Sequence, residues 1–98
     1  MNLSKRVIKK MMDGDRYSSW LGIEVLEIST GYCELKMKVR EEMMNGFKIA
    51  HGGIAYSLAD SCMAFAANSY GIKAVSIETS ISHTNKVKSG DILTATSN

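Results

Sequence analysis

The sequence lacks a strong charge imbalance, a metal-binding cysteine pattern and an uninterrupted hydrophobic run. Its formal net charge is only +2 and its basic residues are scattered, which argues against nucleic acid as a partner. Cys33 and Cys62 have no CxxC spacing and lie among apolar neighbours, so we expect core thiols in a cytoplasmic protein and no metal site. Asp60 interrupts the longest uncharged segment, residues 49–70, which we therefore interpret as a core helix and not a membrane span.

The length and composition predict one globular domain, residues 1–98, with 45% hydrophobic and 22% charged residues. Near the N-terminus, apolar and basic residues recur at helical spacing. We interpret this stretch as a surface helix capped by Asn2 or Ser4, with a transit-type segment as the alternative. No signal peptide is expected, because Lys9 and Lys10 interrupt the apolar part of the stretch.

The rest of the pattern predicts strands around a second, longer helix. Residues 22–28 are typical of a strand. Their alternation of apolar and polar side chains shifts by one position between Val25 and Leu26, which indicates a β-bulge. The next strand, residues 33–40, alternates apolar and charged side chains and should form an antiparallel hairpin with the first. Further strands are predicted at residues 74–83 and from residue 92 onward, so the fold class is α+β.

The most informative stretch contains Asn45-Gly46 and then His51-Gly52-Gly53 at the start of a long helix. Backbone N–H groups at a helix start lack intrahelical partners and carry partial positive charge. They can stabilise an oxygen that develops negative charge during a reaction. Asp60 lies deeper in this otherwise apolar helix. A carboxylate at such a position either belongs to a narrow polar stripe that faces solvent or has a functional role.

Helix geometry separates these two features within one chain. Asp60 follows Gly52 by eight residues, which at a rise of about 1.5 Å per residue is roughly 12 Å along the helix. Asp60 therefore cannot reach a substrate atom bound at its own helix start. If both features serve one reaction, the carboxylate comes from a second copy whose helix runs antiparallel, and twofold pairing creates two equivalent sites.

At this spacing Asn-Gly, His-Gly-Gly and Ser57-Leu58-Ala59-Asp60 resemble the hotdog-fold acyl-CoA thioesterases. The resemblance is to the phenylacetate-degradation branch of the 4-hydroxybenzoyl-CoA thioesterase superfamily, and it extends upstream to Trp20-Leu21-Gly22-Ile23 and downstream through residues 88–95. It implies an antiparallel sheet wrapped around the long helix, with two C-terminal strands missing from this chain. It also implies hydrolysis of small or aromatic acyl-CoAs without a cofactor, in a homodimer or homotetramer with active sites at the dimer interface and no membrane partner.

The resemblance also suggests roles for individual residues. Gly52, with Gly53 beside it, would contact the thioester carbonyl through backbone N–H groups. Asn45 would lie in the active site and orient a water molecule or the thioester. Asp60 would be either the general base for water or the nucleophile that forms an anhydride, and the sequence leaves both open. We expect the His51 imidazole to bond to the backbone and shape the loop.

Three positions depart from the family pattern. His83 stands where relatives usually carry an aromatic ring, Lys86 where they have proline, and Lys48 where they often have a small residue. Lys86 and Lys88 are candidates for contact with CoA phosphates, with a solvated turn as the alternative. The rival functions are a non-catalytic acyl-CoA-binding or scaffolding hotdog protein and, matched less well by the glycine motif, a hotdog hydratase or dehydratase.

Overall fold

The computed structural model describes residues 2–76 and 80–98. Its elements, in chain order, are helices α1 (Leu3–Gly14) and α2 (Arg16–Leu21), strands β1 (Glu24–Ser29) and β2 (Tyr32–Lys38), a 3-10 turn (Glu41–Met43), helix α3 (Gly52–Asn68) and strand β3 (Ile92–Ser97). In the described residues no helix combines the length and apolarity needed to cross a bilayer.

Side-chain caps define the two N-terminal helices. The Asn2 side chain accepts a hydrogen bond from the Lys5 backbone N–H at 3.0 Å, so Asn2 is the cap of α1. Asp15 follows α1 and caps α2, accepting from the Ser18 backbone N–H at 2.9 Å. α2 ends at Gly22, whose φ of 74° is left-handed and is accessible to glycine without steric cost. The predicted N-terminal surface helix is confirmed.

The three strands form one antiparallel sheet in the order β1-β2-β3. The register of β1 against β2 shifts between Val25 and Glu27, so the predicted hairpin and its bulge are confirmed. On β2, Cys33, Leu35 and Met37 are at most 1% exposed, whereas the charged residues between them are half-buried. This alternation gives the sheet one apolar face for the helix to cover.

Helix α3 covers that face with residues at helical spacing. Its buried side chains are Ile54, Leu58, Cys62, Phe65, Ala66 and Asn68. Removing one large apolar side chain such as Phe65 from water contributes about 1.5–3 kcal/mol. The opposite side of α3 carries exposed Ala59 and Met63 with half-buried Asp60 between them, so this side is free to meet another surface.

The strand predicted for residues 74–83 is wrong where the structure describes it. Residues 74–76 and 80–83 are not in a strand, and residues 77–79 lie outside the described part. The Asn68 side chain explains the start of this segment. Its amide nitrogen donates to the Ala74 carbonyl at 2.9 Å and its oxygen accepts from the Ala74 N–H at 2.9 Å. The backbone groups of Ala74 are therefore satisfied by a side chain instead of a neighbouring strand.

Candidate active site

The loop before α3 is folded by its own backbone and by Asn45. The Asn45 side-chain oxygen accepts from the Phe47 N–H at 2.9 Å, and the Asn45 N–H donates to the Ile49 carbonyl at 2.8 Å. Lys48 adopts a left-handed φ of 62°, which costs a non-glycine residue about 1–2 kcal/mol. Because the oxygen of Asn45 is used in the turn, only its amide nitrogen can act on a ligand; within the described residues it donates no hydrogen bond.

Two backbone hydrogen bonds attach this loop to the rest of the protein. The Ala50 N–H donates to the Val87 carbonyl at 2.7 Å, and the His51 N–H donates to the Met43 carbonyl at 3.0 Å. The His51 imidazole is exposed and makes no hydrogen bond to any residue in 2–76 or 80–98. The loop is thus held by the backbone of His51, whereas the expected bond from its ring is not found among the described residues.

The attachment creates a pocket of about 370 Å³ at the start of α3. Four of the predicted site residues line it: Asn45, His51, Gly52 and Lys86. The His51 side chain makes no capping hydrogen bond, and the N–H groups of Gly52 and Gly53 donate to no other described residue. These free N–H groups can receive an oxygen atom of a ligand.

Asp60 lies away from that pocket, as the helix spacing predicts. It borders a smaller pocket of about 130 Å³, together with Tyr56, Ala59, Met63, Ser80 and Ile81. It also borders a broad groove of about 720 Å³ beside α1. Among the described residues Asp60 has no hydrogen bond and no ion pair. A half-buried carboxylate with no partner among the described residues is a candidate for a functional role.

The neighbouring polar residues of α3 do have structural partners. The Ser57 hydroxyl donates to the Gly53 carbonyl at 2.6 Å and lies 2.9 Å from the Tyr17 hydroxyl. The Ser61 hydroxyl lies 2.9 Å from that of Ser18. These contacts dock α2 on the first turns of α3. Ser57 and Ser61 therefore have structural partners on α2, whereas Asp60 has none among the described residues.

Lys88 also lies apart from the helix-start pocket. Its backbone N–H donates to the Asp91 carboxylate at 2.9 Å in the turn before β3, and its side chain is exposed. The structure therefore separates Lys88 from Lys86, which does line the pocket.

Sequence reasoning did not place His83 in the site, yet its ring lies directly against Gly52. A Cβ atom at Gly52 would be 3.1 Å from His83 Nε2 and 3.2 Å from its Cε1. The signal available in the sequence was the glycine at position 52. Its φ is not positive in the structure, so the close approach of the His83 ring, and not backbone conformation, is what favours glycine there.

The two thiols lie in the core and outside the pocket. Both are free and buried, as predicted, and Cys62 Sγ donates to the Cys33 carbonyl at 3.3 Å. Burial raises the pKa of the Cys33 thiol to about 12 and raises the pKa of Cys62 as well. Neither is suited to act as a nucleophile. No group of three or more potential metal-ligating side chains occurs among the described residues.

Comparison with known proteins agrees with this arrangement. Residues 47–98 match the Thioesterase superfamily. A putative esterase of Archaeoglobus fulgidus is 37% identical over 91 residues, covering 93% of this chain and 59% of its own length. The acyl-coenzyme A thioesterase PaaI of Escherichia coli is 37% identical over 86 residues, covering 88% of this chain and 61% of its own. The chain thus spans about three fifths of the length of these curated relatives.

Solved structures extend the likeness to the fold. The structure of E. coli PaaI, from the phenylacetic acid degradation operon, superposes with a TM-score of 0.91 at 34% identity over 95% of this chain and 67% of that one. A hypothetical thioesterase of Streptococcus pneumoniae, solved with coenzyme A, has a TM-score of 0.78 at 27% identity over 87% of this chain and 66% of that one. The chain is therefore a hotdog-fold member of the thioesterase superfamily, as the motif around Gly52 and Asp60 predicted.

Proposed function

We propose that this protein hydrolyses small or aromatic acyl-CoA thioesters to the free acid and CoA, as a cytoplasmic homo-oligomer. In this proposal residues 1–98 belong to one hotdog thioesterase domain, whose C-terminal strands lie outside this sequence, and the reaction requires no further cofactor. One observation carries the proposal. Among the described residues, the N–H groups of Gly52 and Gly53 have no partner and open onto a pocket at the start of α3, while the carboxylate of Asp60, also without a partner there, borders a different pocket on the same helix.

The free N–H groups provide the first requirement of thioester hydrolysis. The N–H of Gly52, with that of Gly53 beside it, polarises the thioester carbonyl and then stabilises the oxyanion of the tetrahedral intermediate. One such donor typically contributes about 10²–10³ in kcat. The Asn45 amide nitrogen, which the turn leaves free, orients the attacking water or the thioester. The exposed His51 ring forms part of the wall of the pocket.

Asp60 provides the second requirement from the other chain. It is roughly 12 Å along α3 from Gly52 of its own chain, too far to act on a carbonyl bound there. Ala59 and Met63 are exposed beside it and form an apolar rim that a second α3 would cover. In a twofold pair, Asp60 of each chain serves the Gly52 pocket of its partner. Asp60 then either activates water or attacks the carbonyl itself.

The substrate class follows from the relatives. E. coli PaaI is named an acyl-coenzyme A thioesterase, and the S. pneumoniae protein was solved with coenzyme A. Asp60 borders both a small pocket of about 130 Å³ and a groove of about 720 Å³, so the preference for a small or aromatic acyl group rests on the likeness to these relatives and not on cavity size. Lys86 at the pocket wall is then available for the CoA phosphates, and the exposed Lys88, which lies outside the pocket, is a second candidate.

The decisive experiment is complementation between two inactive variants. Asp60→Asn removes the carboxylate, and Gly52→Val fills the space at the helix start. The two variants are unfolded together in urea, refolded as a mixture and assayed for release of CoA thiol from phenylacetyl-CoA. A heterodimer contains one site with both defects and one intact site, so an equal mixture should recover roughly a quarter of the wild-type activity.

Separately refolded and then mixed variants are the control, and they should remain inactive if the chains do not exchange. Failure of the co-refolded mixture to recover activity, with both variants folded and oligomeric, would contradict a site shared between chains. A wild-type protein that binds acyl-CoA but releases no CoA, or one that is active as a monomer, would overturn the proposal. The first outcome would favour the binding or scaffolding role.

A further inference from the structure

The His83 ring lies on the side of Gly52 that faces the start of α3. In a helix the Cα–Cβ bond tilts toward the N-terminus, so the Cβ position of the first residue lies at the mouth of the helix start. His83 Nε2 is 3.1 Å from that position at Gly52. The imidazole edge therefore lies against the first residue of α3, at the helix start where the N–H groups of Gly52 and Gly53 have no partner among the described residues.

The ring is also free to bind a ligand. Among the described residues the His83 side chain makes no hydrogen bond, and it is exposed on the wall of the helix-start pocket. With hydrogen on Nε2, it is a donor on the wall of the same pocket as Gly52, whose N–H has no partner among the described residues. Several free donors around one volume match an acceptor oxygen that becomes negatively charged.

We propose that His83 donates a hydrogen bond through Nε2 to the thioester oxygen held by the Gly52 N–H. His83 is then a catalytic residue of the oxyanion site. The inference rests on the proposed function and deepens it, because an aromatic hydrocarbon ring at this position would fill the same space without donating. No proton is transferred: the bond strengthens as charge develops on the oxygen and weakens when the C–S bond breaks and the carbonyl re-forms.

Two substitutions separate donation from packing. His83→Phe keeps a planar ring against Gly52 and removes the donor, whereas His83→Gln keeps an amide donor near the position of Nε2. On phenylacetyl-CoA we expect His83→Phe to lower kcat about 10²-fold with KM changed less than about threefold. His83→Gln should retain kcat within about tenfold of wild type.

A binding measurement tests the same contact without turnover. The probes are two phenylacetyl-CoA analogues: a ketone with a methylene in place of the sulfur, and a thioether with a methylene in place of the carbonyl. Calorimetry gives the ratio of their affinities, which reports the contacts made by the carbonyl oxygen. His83→Phe should lower the wild-type ratio at least about tenfold, and His83→Gln should largely preserve it.

Each result supports or overturns the inference. An unchanged ratio and kcat in His83→Phe would remove His83 from the oxyanion site. Equal losses in both variants would assign it a packing role only. A wild-type protein without thioesterase activity would overturn the proposed function, while the affinity ratio would still decide whether His83 contacts the carbonyl.

Discussion

Adding one methyl group at Gly52 tests whether the His83 ring lies on the first turn of α3. In Gly52→Ala the new Cβ would be 3.1 Å from Nε2 and 3.2 Å from Cε1 of His83, closer than the optimum of about 3.5–4.0 Å. Gly53→Ala is the matched control, because apart from the adjacent residues and the helix backbone no atom of the described residues lies within 4 Å of a Cβ built there. Both changes replace glycine by alanine in the same turn of one helix.

The expected changes in the free energy of unfolding follow from the different surroundings of these two Cβ positions. Alanine is about 0.5–1 kcal/mol better than glycine in a helix, so Gly53→Ala should raise the free energy of unfolding by up to that amount. At Gly52 the same gain is offset by displacing the ring, and because His83 is exposed and can move, we expect a cost of similar size. The two variants should differ by roughly 1 kcal/mol, or about 4–8 °C in Tm for a domain of this size.

Thermal unfolding followed by circular dichroism, in a double-mutant cycle with His83→Ala, isolates the contact. In the His83→Ala background, Gly52→Ala should become as stabilising as Gly53→Ala, which gives a coupling energy of about 1 kcal/mol for the 52–83 pair and about zero for the 53–83 pair. If Gly52→Ala stabilises the wild-type background as much as Gly53→Ala does, the ring does not occupy this position and the reasoning on His83 fails.

Three further predictions concern the core, the loop and the thiols. Phe65→Ala should cost about 3–5 kcal/mol in urea denaturation because it leaves a cavity under α3, whereas Phe47→Ala, at a side chain 87% exposed, should change stability by no more than about 0.5 kcal/mol; equal effects would contradict the core assignment. Lys48→Gly should raise Tm, corresponding to at most about 1 kcal/mol, by relieving the left-handed φ of 62°; a lower Tm would show that no strain is stored there. The pKa of Cys33 is raised by burial from 9.0 to about 12, so the stability held by the neutral thiol is complete below pH 9 and is lost as pH rises toward 12. Cys33→Ala should therefore flatten the alkaline fall in the free energy of unfolding, and an unchanged slope would refute this account.

The local patterns of the sequence predicted elements whose causes are local. The alternation of β2 specifies which of its side chains are buried, and the phase slip at Val25 specifies the bulge, because strand side chains alternate with period two. The cap at Asn2 is likewise a contact between residues three apart. Such features depend on neighbours in the chain, so they can be predicted from it.

The strand prediction failed at residues 74–76 and 80–83, where the structure describes the segment, because alternation says nothing about pairing. A strand requires a partner for its backbone groups, and at Ala74 the partner is the side chain of Asn68. No local pattern indicates that the amide of a buried helix residue will occupy those groups.

The residues of the candidate site also fall into two groups, those that local sequence placed and those that tertiary contacts placed. The sequence by itself determined that Asn45, His51 and Gly52 lie together, since they share one short segment. It also determined that Asp60 lies about two helix turns, or roughly 12 Å, from Gly52, since helix geometry sets that distance. Only the tertiary structure decided that His83 and Lys86 join them. A hydrogen bond from Ala50 to Val87 brings together segments more than thirty residues apart, and such contacts depend on the packing of the whole domain.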